Sequence, residues 1–145
     1  MITKIANDRK LFFEYVSENT YYNKPVNTNF IRYIIDRQKM IKIHVTDPDG
    51  TKKELAATPG SQLMNAIRDA GFVEGTCGGM ASCGTCHVYI DQDWNSRTGE
   101  RTEDEGYMLE SLEEFVEVKT TSRLCCQIIL EEDHDGLSLT VGPQI

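Results

Sequence analysis

From Met40 the chain alternates apolar and polar residues, with Ile41, Ile43 and Val45 separated by Lys42 and His44. That period of two predicts a half-buried strand. Asp47-Pro48-Asp49-Gly50 supplies turn chemistry, and Thr51 to Ala57, with Leu55, reads as the returning strand, so residues 40–57 form a hairpin. After Pro59-Gly60 the period changes. Leu63, Met64, Ile67 and Ala70 recur at helical spacing, Ser61 is placed to cap them and Gly71 to stop them.

The stretch His87 to Asp91 reads as a short strand and residues 92–101 as a polar loop. Thr102 to Val118 predicts a second helix, with Thr102 and Glu105 in capping-box register and Met108, Leu109, Leu112, Phe115 and Val116 as its apolar stripe. "CQIILEE" and "LSLTV" read as closing strands around the turn "DHDG". The whole is an α+β domain, helices packed on a small mixed sheet. Residues 1–39, rich in Asn and Tyr, show neither period and read as an extension that is poorly structured or not native, with 40–145 as the folded domain.

Charge sharpens this division. Residues 1–39 hold seven Lys/Arg against four Asp/Glu, leaving eight against nineteen in 40–145, a net of -11 within a total of -8. So acidic a domain repels nucleic acid and anionic lipid and attracts proteins with basic docking surfaces. No apolar run approaches the roughly 20 residues of a membrane span, which excludes insertion. Nothing at the N-terminus reads as a secretory signal, and acidic residues count against a mitochondrial presequence. The expectation is a cytoplasmic bacterial protein, with the mitochondrial matrix the lesser alternative.

Five cysteines in a reducing compartment point to metal or redox chemistry rather than disulfides. Three sit in "CGGMASCGTCH" as C-x5-C-x2-C, and 39 residues separate Cys86 from Cys126. Three close thiolates and one remote one is the plan of single-cluster 2Fe-2S ferredoxins. The glycines and small residues between them let backbone N–H groups approach sulfur. Two other readings compete. Cys83, Cys86 and His87 fit the covalent haem pattern, and four thiolates can hold structural zinc in a binding module.

Four stretches in order, "CGGMASCGTCH", "TEDEGYMLESL", "SRLCCQI" and "DGLSLTV", together resemble the adrenodoxin/putidaredoxin-type 2Fe-2S ferredoxins. The resemblance covers residues 40–145 and implies a β-grasp fold. It implies a monomeric one-electron carrier, not an enzyme, fed by an NAD(P)H-dependent flavoprotein ferredoxin reductase and serving a cytochrome P450 monooxygenase, or else iron-sulfur cluster assembly. It implies Cys77, Cys83, Cys86 and Cys126 as ligands of one 2Fe-2S cluster. In a strand only one of Cys125 and Cys126 could face the cluster, and the residue before Gln is the family's ligand. Cys125 is then a small buried hydrophobe. His87 becomes a structural brace, and Glu103, Asp104, Glu105, Glu110, Glu113 and Glu114 a partner-docking face. Seven carboxylates between 103 and 117 without a Lys or Arg repel one another, so stability alone does not explain them.

Overall fold

The computed structural model describes residues 27–29, 32 and 39–145. The chain divides into two compact units, Met1–Lys39 and Met40–Ile145. The expectation that 1–39 lacks structure lies outside the described residues, apart from a short helical stretch in which Asn29 N–H donates to Asn27 Oδ1 at 3.0 Å.

In the second unit the alternating segment folds as predicted. Strand β1 (Ile41–Thr46) buries Ile41, Ile43 and Val45 and pairs antiparallel with β2 (Lys52–Ala57), from Ile41 opposite Ala57 to Thr46 opposite Lys52. The turn closes through Gly50 N–H to Asp47 O at 2.8 Å. β1 also runs parallel to the last strand, β5 (Leu137–Val141), which lies between it and β3 (His87–Ile90). With β4 (Ser122–Leu124) beyond β3, the five-stranded mixed sheet has the order β2-β1-β5-β3-β4. The charged, largely exposed β2 forms one edge, as suits a strand that must not recruit another chain.

Helix α1 (Leu63–Asp69) sets Leu63, Met64 and Ile67 into the core. Gln62, not Ser61, is its N-cap, because the Ser61 hydroxyl donates to Thr58 O. A four-residue helix α2 (Gln92–Asn95) occupies part of the expected polar loop. Helix α3 (Glu103–Leu112) is shorter than its apolar stripe suggested. Leu109 and Leu112 are buried, but Phe115 lies beyond the helix and is 71% exposed.

"CQIILEE" is not a strand. Cys125–Gln127 form a 3-10 turn, and the backbone after it is strapped to the start of α1, with Leu63 N–H donating to Ile128 O and Leu130 N–H to Ser61 O. Ile128 and Leu130 thereby enter the core beside Leu63. This strap positions the second half of the candidate site.

Candidate metal centre

The cysteine loop is tied at its neck. Gly75 N–H donates to Thr85 O, and Thr76 N–H to the Thr85 hydroxyl at 2.9 Å. Two glycines let it sit tightly on the core. A Cβ at Gly75 would lie 2.6 Å from Met64 Sδ, and one at Gly84 2.7 Å from a Leu112 methyl, so the loop packs against α1 on one side and α3 on the other. Both have positive φ, and so does Ala81 at 53°, a region that costs a non-glycine residue about 1 kcal/mol or more. The winding turns amide N–H groups toward sulfur.

The thiols form two sets. Cys77 N–H donates to Cys83 Sγ at 3.4 Å, and the Thr85 hydroxyl lies 3.0 Å from that sulfur. Partial burial pushes the Cys77 thiol up, but the Ser82 N–H, the Cys83 thiol and the N–H groups of Gly79 and Met80 outweigh it and bring it down to about 6. The other set is inside. Cys86, Cys125 and Cys126 are each at most 1% exposed. Cys86 lies against both neighbours; contact with the Cys125 thiol, opposed by that with Cys126, and burial push it up to about 12. Cys126 is raised by its contact with the Cys86 thiol and by burial, while the Gln127 amide and the Ala81 N–H oppose the rise.

Among the described residues no three His, Cys, Asp or Glu side chains are grouped to hold a single metal ion. Cys77 lies with Cys83, and Cys86 lies against both Cys125 and Cys126, so the thiols gather in two groups. A two-iron cluster takes two protein thiolates at each iron, and two groups of thiols suit that demand. The surrounding N–H groups suit it too, since they stabilise negative sulfur.

His87 is fully buried with both ring nitrogens engaged. Nδ1 donates to Pro143 O at 3.4 Å, so Nε2 accepts from the Ser122 hydroxyl at 2.9 Å, and that hydroxyl accepts from Lys119 N–H. Burial holds the imidazole below its ordinary range, with Arg101 and Lys119 adding to the effect and the Pro143 carbonyl opposing it. An imidazole so occupied is unavailable to haem iron, which removes the remaining residue of that reading.

The expected docking carboxylates separate. Glu103, Asp104, Glu110, Glu113 and Glu114 are exposed. Glu105 is not: it is 0% exposed, and its carboxylate accepts from Arg123 Nε at 2.7 Å and Leu124 N–H at 2.8 Å. The capping box is consequently half formed, with the Thr102 hydroxyl accepting from Glu105 N–H while the Glu105 side chain turns inward. Glu105 is corrected from a docking residue to an internal one.

Three roles escaped the sequence reading. Thr85 closes the loop neck, Gln127 Nε2 donates to both Gly79 O at 3.0 Å and Cys126 Sγ at 3.4 Å, and Arg123 anchors Glu105. The only available signal was their adjacency to cysteines and their place inside "SRLCCQ".

Comparison with known proteins agrees with this geometry. Residues 46–131 match the family described as the 2Fe-2S iron-sulfur cluster binding domain. Putidaredoxin of Pseudomonas putida is 40% identical over 104 residues, covering 70% of this chain and 95% of that protein. A crystal structure of a reduced putidaredoxin variant superposes with a TM-score of 0.67 at 40% identity, covering 71% of this chain and 97% of that one. Putidaredoxin in its covalent complex with putidaredoxin reductase superposes with a TM-score of 0.66 at 39% identity, over 71% and 99% of the two chains. The chain therefore belongs to the putidaredoxin and adrenodoxin-type 2Fe-2S ferredoxins with the β-grasp fold, and is an electron carrier of one 2Fe-2S cluster rather than an enzyme.

Proposed function

We propose that the 40–145 domain carries single electrons from an NAD(P)H-dependent flavoprotein ferredoxin reductase to a cytochrome P450 monooxygenase, as a cytoplasmic monomer. Cys77, Cys83, Cys86 and Cys126 hold the cluster, which supplies one-electron redox chemistry. The observation that carries the reading is the union of paired thiols and an acidic helix on one loop. Gly84, between Cys83 and Cys86, packs on Leu112 of α3, so a partner bound by the helix is brought to the cysteines. The relative putidaredoxin has been solved in complex with its reductase, which supports the reductase half of the proposal.

The chain's own residues divide the work. Cys77 and Cys83 form the partly exposed side, Cys86 and Cys126 the buried one. His87 braces β3 to β4 through Ser122 and to the C-terminal segment through Pro143, fixing the backbone after Cys86. Glu103, Asp104, Glu110, Glu113 and Glu114 steer basic partners. Such steering weakens as salt shortens the Debye length from about 30 Å at 0.01 M to about 8 Å at 0.15 M.

The test is stopped-flow electron transfer from a purified ferredoxin reductase at rising ionic strength. The second-order rate constant is expected to fall by about tenfold or more between low and moderate salt, and Glu110→Gln to flatten the slope. A rate indifferent to salt overturns the docking assignment.

Gln127 makes a separate prediction. A donor to Cys126 sulfur favours the more negative, reduced state. Gln127→Leu is expected to keep the visible spectrum and lower the midpoint potential by on the order of 50 mV, roughly a tenfold change in a one-electron equilibrium. Protein-film voltammetry reads this shift, and an unmoved midpoint removes Gln127 as a tuning residue.

A further inference from the structure

We propose that Met80 and Ile129 form an uncharged, dry contact platform over the cysteine loop, onto which docks a redox protein whose own cofactor edge lies in an apolar patch ringed by Lys and Arg. The inference rests on the electron-carrier reading above and specifies the surface through which transfer occurs.

Met80 and Ile129 are 75% and 51% exposed, two large apolar side chains on the segments that Gln127 ties together beside the cysteine loop. They are held on one piece of structure. Gln127 Nε2 donates to the carbonyl of Gly79, the residue before Met80, while Ile129, two residues after Gln127, pairs by an isolated bridge with Gln62. Gln62 in turn lies against Gly79. The platform also reaches both thiol sets: Met80 N–H is directed at Cys77 sulfur, and the Gln127 amide at Cys126 sulfur.

Its charge pattern is specific. No Asp, Glu, Lys or Arg occurs from Gly75 to Ile90 or from Cys125 to Leu130. Carboxylates resume on both flanks, with exposed Glu110, Glu113 and Glu114 on the α3 side and exposed Glu131, Glu132 and Asp133 after the strap. Desolvating charge at a contact is costly, whereas covering Met and Ile is favourable at about 25 cal/mol per Å². An uncharged centre within an acidic rim thus allows close approach at the centre and steering at the edge. Methionine's flexible, polarizable side chain suits a transient contact that accommodates more than one partner.

The sign of charge separates this platform from simple steering. Adding a carboxylate at Met80 or Ile129 strengthens attraction to a basic partner, so if attraction alone governs transfer the rate stays the same or rises. If the centre has to be dry, the rate falls. The experiment uses the full chain with its cluster, chemically reduced and mixed anaerobically with cytochrome c, a basic haem protein, in a stopped-flow instrument.

Met80→Glu and Ile129→Glu are each expected to slow transfer at saturating cytochrome c by about tenfold while keeping the visible spectrum of the parent. A carboxylate beside the thiols lowers the midpoint potential, which by itself would speed transfer and so does not account for a loss. Met80→Gln gives a smaller loss in the same direction, and Met80→Leu retains the parental rate. Parental or faster rates in both Glu variants overturn the platform. Failure of the steering assignment looks different: the parent protein's own rate would be insensitive to salt, whatever the Glu variants do.

Discussion

Cys126→Ala is expected to yield protein without the visible absorption, iron and acid-labile sulfide of a 2Fe-2S cluster, whereas Cys125→Ala retains all three. Burial does not separate the two thiols, because Cys125 is 0% and Cys126 1% exposed. Facing does not separate them as it would in a strand. Cys125–Gln127 form a 3-10 turn, where successive side chains are about 120° apart rather than opposed, and Cys86 lies against both thiols.

The difference lies in what reaches each sulfur from the cysteine loop. Ala81 N–H and the Gln127 amide are directed at Cys126 sulfur, and Gln127 is itself tied to Gly79 of that loop. A ligating thiolate is stabilised by such donors. Cys125 serves through its backbone instead, its N–H donating to Cys86 O at 3.1 Å and so linking β3 to the turn. Alanine keeps that bond. Its cost is the loss of about one methylene-sized group from the core, roughly 1 kcal/mol. Absorption spectra with iron and sulfide assays decide the matter, and the reverse pattern would assign Cys125 as the ligand.

Where a residue's surroundings were local, the sequence was legible. The alternation of Ile41, Ile43 and Val45 fixed β1 and its buried face, and Asp47 to Gly50 its turn. Helix α1, stopped just before Gly71, and the loop carrying Cys77, Cys83 and Cys86 were also readable. Illegible features depended on residues far apart. An apolar run such as Ile128 to Leu130 is compatible with a buried strand, and only its pairing with residues 60–63 makes it a strap. The end of α3 carried no Gly or Pro signal. Its acidic residues at helical spacing repel one another, and Phe115 N–H already bonds back to Leu112 O in a tighter turn, leaving the ring outside the core. Glu105 looked like its acidic neighbours because nothing local announces Arg123, 18 residues away.

That buried pair gives the largest expected loss of stability. Arg123 and Glu105 have side chains only 4% and 0% exposed. The guanidinium donates to Glu105 through Nε at 2.7 Å and a second nitrogen at 3.2 Å, and to the carbonyls of Thr98 and Gly99 at 3.2 and 2.8 Å. One pair thus joins the first turn of α3, the loop before it and β4, which leads directly into Cys125 and Cys126. Arg123→Ala leaves a carboxylate buried without its cation, and Glu105→Ala a guanidinium without its anion. Either is expected to cost about 3–5 kcal/mol and to lower the melting temperature by more than about 10 °C. Replacing both together with leucine is expected to cost less than the sum of the single changes, because neither leaves an orphaned charge.

Thermal unfolding followed by circular dichroism and by cluster absorbance measures both effects. Cluster bleaching in the single variants is expected at the lower temperature too, since the segment bearing Cys126 loosens with β4. The same residue also tests the correction to the docking face. Glu105→Gln is expected to leave the salt slope of electron transfer unchanged while destabilising the fold, whereas Glu110→Gln flattens the slope and leaves the fold intact. If Glu105→Gln instead changed the slope as Glu110→Gln does, its carboxylate would have to reach solvent, against its burial between α3 and β4.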